Sequence, residues 1–387
     1  MTEDTLYDVA IIGGGLGGLS LSIQLAKAGY SVVLFEKERY PFHKVCGEYI
    51  SMESWEHLKK LGLPLEGMNL PRINKLIVSS PSGKILKSEL GLGGFGISRY
   101  TIDNELYKIA KTAGVSIYEE TKVNDLVFDK EEFKVRANGL DLRAKIVAGA
   151  FGKRSNLDVK WERKFIEKKG KLNNYIGVKY HVKLRSVIGD CFVPHNGETI
   201  ALHNFKDGYC GISKVEGDKY CLCYMTTSEN LKENNNSIAE MEKNVLQKNP
   251  FLKKIFIQSE FLYSSPVTIS QISFDKKSAV ENHVLMVGDA AGMITPLCGN
   301  GMSMALHAGK IAFEHIDKYL QRKVSRWDME EGYKWDWNRT FASRMRNGRM
   351  IQSMFGKEWK TEMFIGLMKR FGFLKRKIIE STHGEEF

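Results

Sequence analysis

Gly13, Gly15 and Gly18 form a G-x-G-x-x-G turn between an apolar run over 7–12 and a helical pattern over 16–28. At that spacing the first glycine permits a tight turn. The second lets a pyrophosphate approach the backbone, and the third lets helix and strand pack closely. Unsatisfied N–H groups and the helix dipole favour the anion at this end. Glu36 lies 18 positions beyond Gly18, at the end of the next apolar run, 31–35. There a carboxylate can accept both ribose hydroxyls of an adenosine. Leu16 and Gly17 sit inside the turn and Lys37 beside the acid, so all three join the candidate contacts. The chemistry this implies is dinucleotide binding; a glycine-rich turn without ligand is the alternative.

A second block follows far along the chain, Gly288-Asp289-Ala290-Ala291-Gly292, then Pro296, Gly299, Asn300, Gly301 and Met302. A strand ends in Gly-Asp, a loop carries Pro and glycines, and a helix starts near Gly301. An Asp at a strand end can accept from a sugar hydroxyl, and loop amides can serve an anionic ring. This block resembles the second FAD signature of the p-hydroxybenzoate hydroxylase and geranylgeranyl reductase superfamily. The resemblance implies that Asp289 bonds the ribityl chain and that the 296–301 loop runs beside the isoalloxazine. It also implies FAD rather than NAD as the bound dinucleotide.

Two further stretches fit that resemblance. Pro41-Phe42-His43-Lys44-Val45-Cys46-Gly47-Glu48 is similar to the P-x-x-K-x-C-G of geranylgeranyl reductase-like members. It implies that Lys44, Cys46 and Gly47 shape the flavin pocket, with Cys46 a candidate catalytic residue. The other reading is a small buried thiol with Glu48 capping the next helix. A redox pair of Cys46 with Cys298 is a further possibility. Arg99, in Arg99-Tyr100-Thr101-Ile102-Asp103, is similar to the superfamily's R-x-x-[FL]-D and implies a contact to FAD. An always-charged fork suits a phosphate, and a pairing with Asp103 one turn away is the competing use.

Other comparisons fail. Phe151 stands where hydroxylases of the superfamily carry Asp before Gly, which weakens the expectation of NAD(P)H handling there; Lys153 and Arg154 could still meet a phosphate. Tyr209-Cys210-Gly211-Ile212-Ser213-Lys214 keeps the Tyr of the reductases' Y-x-W-x-F-P and lacks Trp, Phe and Pro. Trp335-Asp336-Trp337-Asn338 lacks the Ile-Pro of the halogenases' W-x-W-x-I-P and reads as core packing. No spacing suits a metal, so none is expected.

These motifs need a strand–turn–helix–strand unit at the N-terminus, a helix over 103–113 with a strand after it, and strands over 144–150 and 284–287. Between them, 175–184, 199–204, 209–215 and 220–226 alternate as strands with turn residues between, an antiparallel pattern. A hairpin is expected over 73–86, turning at 81–83, and one helix over 234–248. The predicted class is α/β: a discontinuous Rossmann-like FAD-binding domain (1–72, 97–158, 276–322), an inserted antiparallel-sheet substrate domain (73–96, 159–275) and a helical C-terminal region (323–387).

The 387 residues are 43% hydrophobic and carry 36 Gly and six Cys. That excludes disorder, a disulfide scaffold and a transmembrane span. The polar start suggests no secretory leader, and a reduced, cytoplasmic setting is expected. Net charge is +11, concentrated over 339–377, where eleven Lys/Arg face two Glu. Met350, Phe355, Trp359, Met363, Leu367 and other apolar residues interleave with them. Peripheral contact with an anionic membrane and a helical cap on the main body are the two readings; no nucleic-acid module is visible. The function expected is an FAD-dependent oxidoreductase, NAD(P)H-fed, hydroxylating or oxidising a hydrophobic or aromatic small molecule. A geranylgeranyl reductase-like enzyme saturating C=C bonds of a lipid or isoprenoid is the alternative, and a flavin-binding protein without turnover a third.

Overall fold

A computed structural model describes residues 5–167, 174–184, 197–354, 357–370, 378 and 384–387. Two sheets organise it. The first has the order Val280–Glu281, Val284–Met286, Leu140–Gly149, Leu6–Ile12, Val32–Phe35, Ser116–Tyr118, with Val123–Asp129 and Glu132–Ala137 branching from its long strand. Its centre is parallel: Leu6–Ile12 pairs with Val32–Phe35 on one side and Leu140–Gly149 on the other. Strands covered on both faces read as unbroken apolar runs, and Val9, Ala10, Ile11, Val33 and Leu34 have no exposed surface.

The helix Leu16–Lys27 returns the chain from the first strand to the second, and Gly29 closes it at φ +89°. The helix Arg99–Thr112 starts four residues earlier than the sequence pattern implies. Ser98 sets that start by accepting from the Thr101 amide at 3.1 Å.

The second sheet runs Ser259–Phe261, Tyr175–Leu184, Tyr220–Thr227, Gly208–Lys214, Thr199–Phe205, Arg72–Ser79, Ile85–Gly96, Tyr49–Ser51, with Val267–Ile272 also on Tyr175–Leu184. It is not wholly antiparallel. Thr199–Phe205 joins Arg72–Ser79 in parallel, Ala201 opposite Ile77. A hairpin made early in the chain is met by a strand that arrives after a long excursion, and such a return can run either way.

The single helix expected over 234–248 is broken. Asn235 and Asn236 take positive φ, Ser237 caps a short helix Ile238–Asn244, and Asn249 caps another, Pro250–Gln258, that the sequence reading missed. Beyond residue 300 lie the helices Gly301–Leu320, Arg326–Gln352 and Glu358–Arg370. Of the basic segment, Phe355, Phe371, Phe373, Leu374, Lys375, Arg376 and Lys377 lie outside the described residues.

Candidate flavin site and its apolar chamber

The first turn is held from both sides. Gly13 donates to the Phe35 carbonyl at 2.8 Å and sits at φ +107°, where an added Cβ would meet the Ala150 carbonyl oxygen at 2.4 Å. Only glycine fits there. Glu36, buried at its strand end, accepts from the Gly14 amide at 2.9 Å and the Glu38 amide at 3.1 Å. Tyr40 closes over Gly14 by donating to its carbonyl. Lys37 lies exposed beside Glu38.

Above Gly15 the space is different. A Cβ there would find only Arg99 Nη2 at 3.7 Å and Lys44 Nζ at 3.9 Å. Both cations reach the buried carboxylate of Asp103, Arg99 through two bonds of 2.8 and 2.7 Å and Lys44 at 3.0 Å. Burial alone would raise Asp103, but the Arg99 and Lys44 charges hold it below the usual carboxylate range. Arg99 therefore makes the competing pairing with Asp103, and its guanidinium also lies over the open side of Gly15. Two cations against one carboxylate leave a positive charge at the N-terminus of Leu16–Lys27. That helix begins at Gly15 with no side-chain cap and no acid in its first turn.

The second glycine block reaches the same place. A Cβ on Gly17 would meet Val287 Cγ1 at 2.8 Å and the Ala305 carbonyl oxygen at 3.0 Å, and one on Gly309 would meet the Gly17 carbonyl oxygen at 2.8 Å. The helices Leu16–Lys27 and Gly301–Leu320 thus touch through backbone, with Leu16 buried in the shared core. Gly288 follows Val287 at φ +64°, then comes Asp289, whose carboxyl is raised by burial with Lys277, Arg99 and Lys153 opposing. Gly301–Leu320 starts after Asn300 with no side-chain cap, Met302 buried in its first turn. Gly299 takes φ +69°, and its Cβ would lie 3.2 Å from the Tyr49 ring.

Other candidates are placed as follows. Gly47 is open, with nothing within 4 Å of where a Cβ would stand. Cys46 Sγ accepts from the Glu48 amide at 3.5 Å, and burial pushes its thiol up, which disfavours a thiolate. Cys46 and Cys298 are both free thiols, so the redox pair is not formed. Lys153 bonds the Ser270 carbonyl and Arg154 the Gln271 side chain at 2.6 Å, so both are engaged by the second sheet. Of the two tryptophans read as core packing, Trp337 is buried and Trp335 is exposed.

Glu48 does not cap the helix after it. It sits at φ +56°, fully buried, and accepts from the Arg99 amide at 2.8 Å, from Lys179 Nζ and from His181 Nε2. His181 Nδ1 meets the Tyr263 hydroxyl at 2.8 Å. Burial works against the Glu48 anion, yet His181 and Lys179 hold its carboxyl low. Sequence reasoning missed Lys179 and His181; the one signal was their i, i+2 spacing on a strand, which puts both on one face. Ligating atoms of Glu48, His181 and Cys221 lie within 4.8 Å of one another, but the Lys179 ammonium already neutralises that carboxylate.

Beside the 296–299 loop opens a chamber lined by Leu76, Val78, Leu86, Ser88, Leu90, Ile200 and Leu202 of the second sheet, Pro296 to Gly299, Ile351, Phe364 and Met368 of the C-terminal helix, and Ile378. Tyr49 stands in its wall. Burial raises its hydroxyl, so it stays protonated, and it has no hydrogen-bond partner among the described residues.

The model of the FAD binding domain family matches residues 6–309. The chain belongs to that family. The residues fit the cofactor: a turn where a side chain is excluded, two helix N-termini without side-chain caps, and cations over Gly15. The FAD binding domain family places the protein among FAD-dependent oxidoreductases, as the motifs imply. The chain is 24% identical to conditioned medium factor receptor 1 of Dictyostelium discoideum over 84% of its own length, and it spans 66% of that relative. It is 24% identical to a digeranylgeranylglycerophospholipid reductase of Methanococcus aeolicus, covering 86% of this chain and 84% of the relative. For the same-named reductase of Methanocaldococcus jannaschii the figures are 23%, 98% and 88%. Its fold is similar to the flavin-dependent brominase Bmp2 (TM-score 0.77, 20% identity, 98% of this chain and 93% of that one). The myxobacterial chondrochloren halogenase CndH gives 0.75, 17%, 99% and 94%.

Proposed function

We propose that this oxidoreductase acts on a small molecule with a long aliphatic portion, which it hydroxylates or otherwise oxidises with NAD(P)H as electron donor. The observation that carries this reading is the chamber. Its walls are mostly apolar and rich in Leu, Ile and Val, and it meets the 296–299 loop that the second flavin motif assigns to the reactive ring. It is a concave, mostly apolar space with few polar groups, the usual character of a small-molecule site. Bound FAD supplies two-electron transfer and, once reduced, reactivity toward O2 or an acceptor bond.

The chain's own residues do the rest. Lys44 and Arg99 hold the pyrophosphate, Glu36 the ribose and Asp289 the ribityl hydroxyls. The N-terminus of Gly301–Leu320 favours negative charge on the ring. Leu76, Val78, Leu202 and Leu297 exclude water from the reacting end, and the Tyr49 hydroxyl is a protonated donor in a mostly apolar wall. Cys46 serves as a neutral neighbour.

A second reading, saturation of C=C bonds in a lipid or isoprenoid, is favoured by the digeranylgeranylglycerophospholipid reductases among the relatives, which align over most of their length. The missing Trp and Pro after Tyr209 count against it. Oxygen separates the two. With NAD(P)H and long-chain phenols or isoprenoid alcohols as trial substrates, hydroxylation incorporates labelled O2 into product. Turnover under strict anaerobiosis, with product two hydrogens heavier, overturns hydroxylation in favour of saturation. No oxidation of NADPH or NADH with any such compound overturns both.

A further inference from the structure

The C-terminal helix Glu358–Arg370 has two apolar faces. Thr361, Ile365 and Met368 are buried, with Ile365 and Met368 against Val78 and Leu86 of the second sheet. This packing is what the helical-cap reading of the segment requires, and it accounts for half of the apolar residues. On the other side Trp359, Met363 and Leu367 follow at i, i+4, i+8 and are 63%, 63% and 44% exposed. A single stripe of three large apolar side chains facing water is not what a cap requires.

Charge identifies the partner. Lys357 and Lys369 are exposed around the stripe, and Lys360 lies over the Trp359 ring. Of the two acids, Glu362 is engaged by Lys84 at 2.7 Å, which leaves Glu358 against these cations. A second copy docking stripe to stripe would set like charges against each other. The exposed tryptophans of Arg326–Gln352 offer a contrast. Trp327 and Trp335 stand among Asp328, Glu331 and Asp336, a face of mixed sign, and Arg339 covers Trp335.

We infer that the outer face of Glu358–Arg370 seats the protein on an anionic lipid surface, Trp359, Met363 and Leu367 entering the interface and the basic residues meeting headgroups. No described helix is long and apolar enough to cross a membrane, so the contact is peripheral. The inner face of the same helix contributes Phe364 and Met368 to the chamber. The helix therefore stands between lipid and chamber, where an apolar substrate partitioned in a bilayer would enter. That last link rests on the proposed function; the lipid contact does not.

Flotation of the full chain, without substrate, tests the contact. The vesicles are of phosphatidylcholine alone or of phosphatidylcholine and phosphatidylglycerol in equal amounts. Binding to the anionic vesicles is expected to exceed binding to the neutral ones by roughly tenfold or more, and to fall in high salt. The combined variant Trp359→Ser, Met363→Ser, Leu367→Ser loses that excess, while Trp335→Ser keeps it. Should the triple variant melt below wild type, Lys357→Glu with Lys369→Glu gives the same loss without disturbing apolar packing. Equal binding to both vesicles, no binding, or undiminished binding by both variants overturns the inference. So does a wild-type dimer in light scattering that the triple variant converts to monomer. Turnover of a detergent-dissolved substrate by the triple variant reports on the chemistry separately, so either proposal can fail alone.

Discussion

Lys44 and Arg99 close on the same oxygen of Asp103, at 3.0 and 2.7 Å, and both hang over Gly15. One arrives from the stretch after the second strand, the other from the first turn of Arg99–Thr112. Their meeting point is the N-terminus of a helix that carries no acid of its own. Removing one cation should cost the cofactor a charge-assisted bond. Arg99→Gln is expected to weaken FAD binding by about 2 kcal/mol, roughly thirtyfold, in a fluorescence titration of apoprotein. Because Lys44 shares Asp103, the double variant with Lys44→Gln will not be additive. Unchanged affinity in Arg99→Gln contradicts this assignment.

Gly15 and Gly18 separate ligand space from packing space. Gly15 has extended backbone and an open surrounding, so Gly15→Ala should leave apoprotein stability within about 1 kcal/mol. FAD affinity should nonetheless fall by more than tenfold, because the methyl occupies the pyrophosphate's approach. A Cβ on Gly18 would stand 2.1 Å from the Gly13 carbonyl oxygen, so Gly18→Ala should destabilise the apoprotein by about 1–3 kcal/mol. Thermal melts with and without FAD read both outcomes, and equal melting of the two apoproteins counts against the distinction.

The Glu48 cluster predicts acid sensitivity. Its carboxyl lies below the ordinary 4.5 in the folded chain, so its contribution is complete above that value and fades as pH falls through the lower folded one. Glu48→Gln leaves the Lys179 ammonium buried and unpaired, at a cost of about 3–5 kcal/mol near neutrality. Denaturant unfolding from pH 7 to pH 3 should show the gap between wild type and variant closing toward the acid end. A constant gap means that the carboxylate's charge is not what matters.

Local patterns carried the flavin half of the molecule. Residues 6–36 are apolar where both sheet faces are covered and glycine where backbones meet, so strand, turn, helix and acid were all legible. The Gly288–Met302 block was legible for the same reason. What joins the two blocks was not: Gly17 looked like a cofactor contact, and its place against Val287 and Ala305 follows from tertiary packing. The same holds for Lys179 and His181, polar positions on an ordinary strand until Glu48 folds beneath them. The broken helix over 234–248 had a signal, Ser237 three residues before Glu240 and Asn249 before Pro250, which apolar periodicity overrode. The chamber had none, because its walls come from stretches scattered between Tyr49 and Ile378.

We take the flavin site and the apolar chamber to be one active site. Leu202→Trp fills the chamber from the second sheet, at a wall that Gly13, Gly15 and Gly18 do not line. The measurement is the visible spectrum of the FAD-loaded protein during titration with a long-chain isoprenoid alcohol. Wild type should show a saturable shift of the flavin bands, and Leu202→Trp should bind FAD normally while showing no shift. A shift of equal size and midpoint in both proteins, or none in either, contradicts the claim.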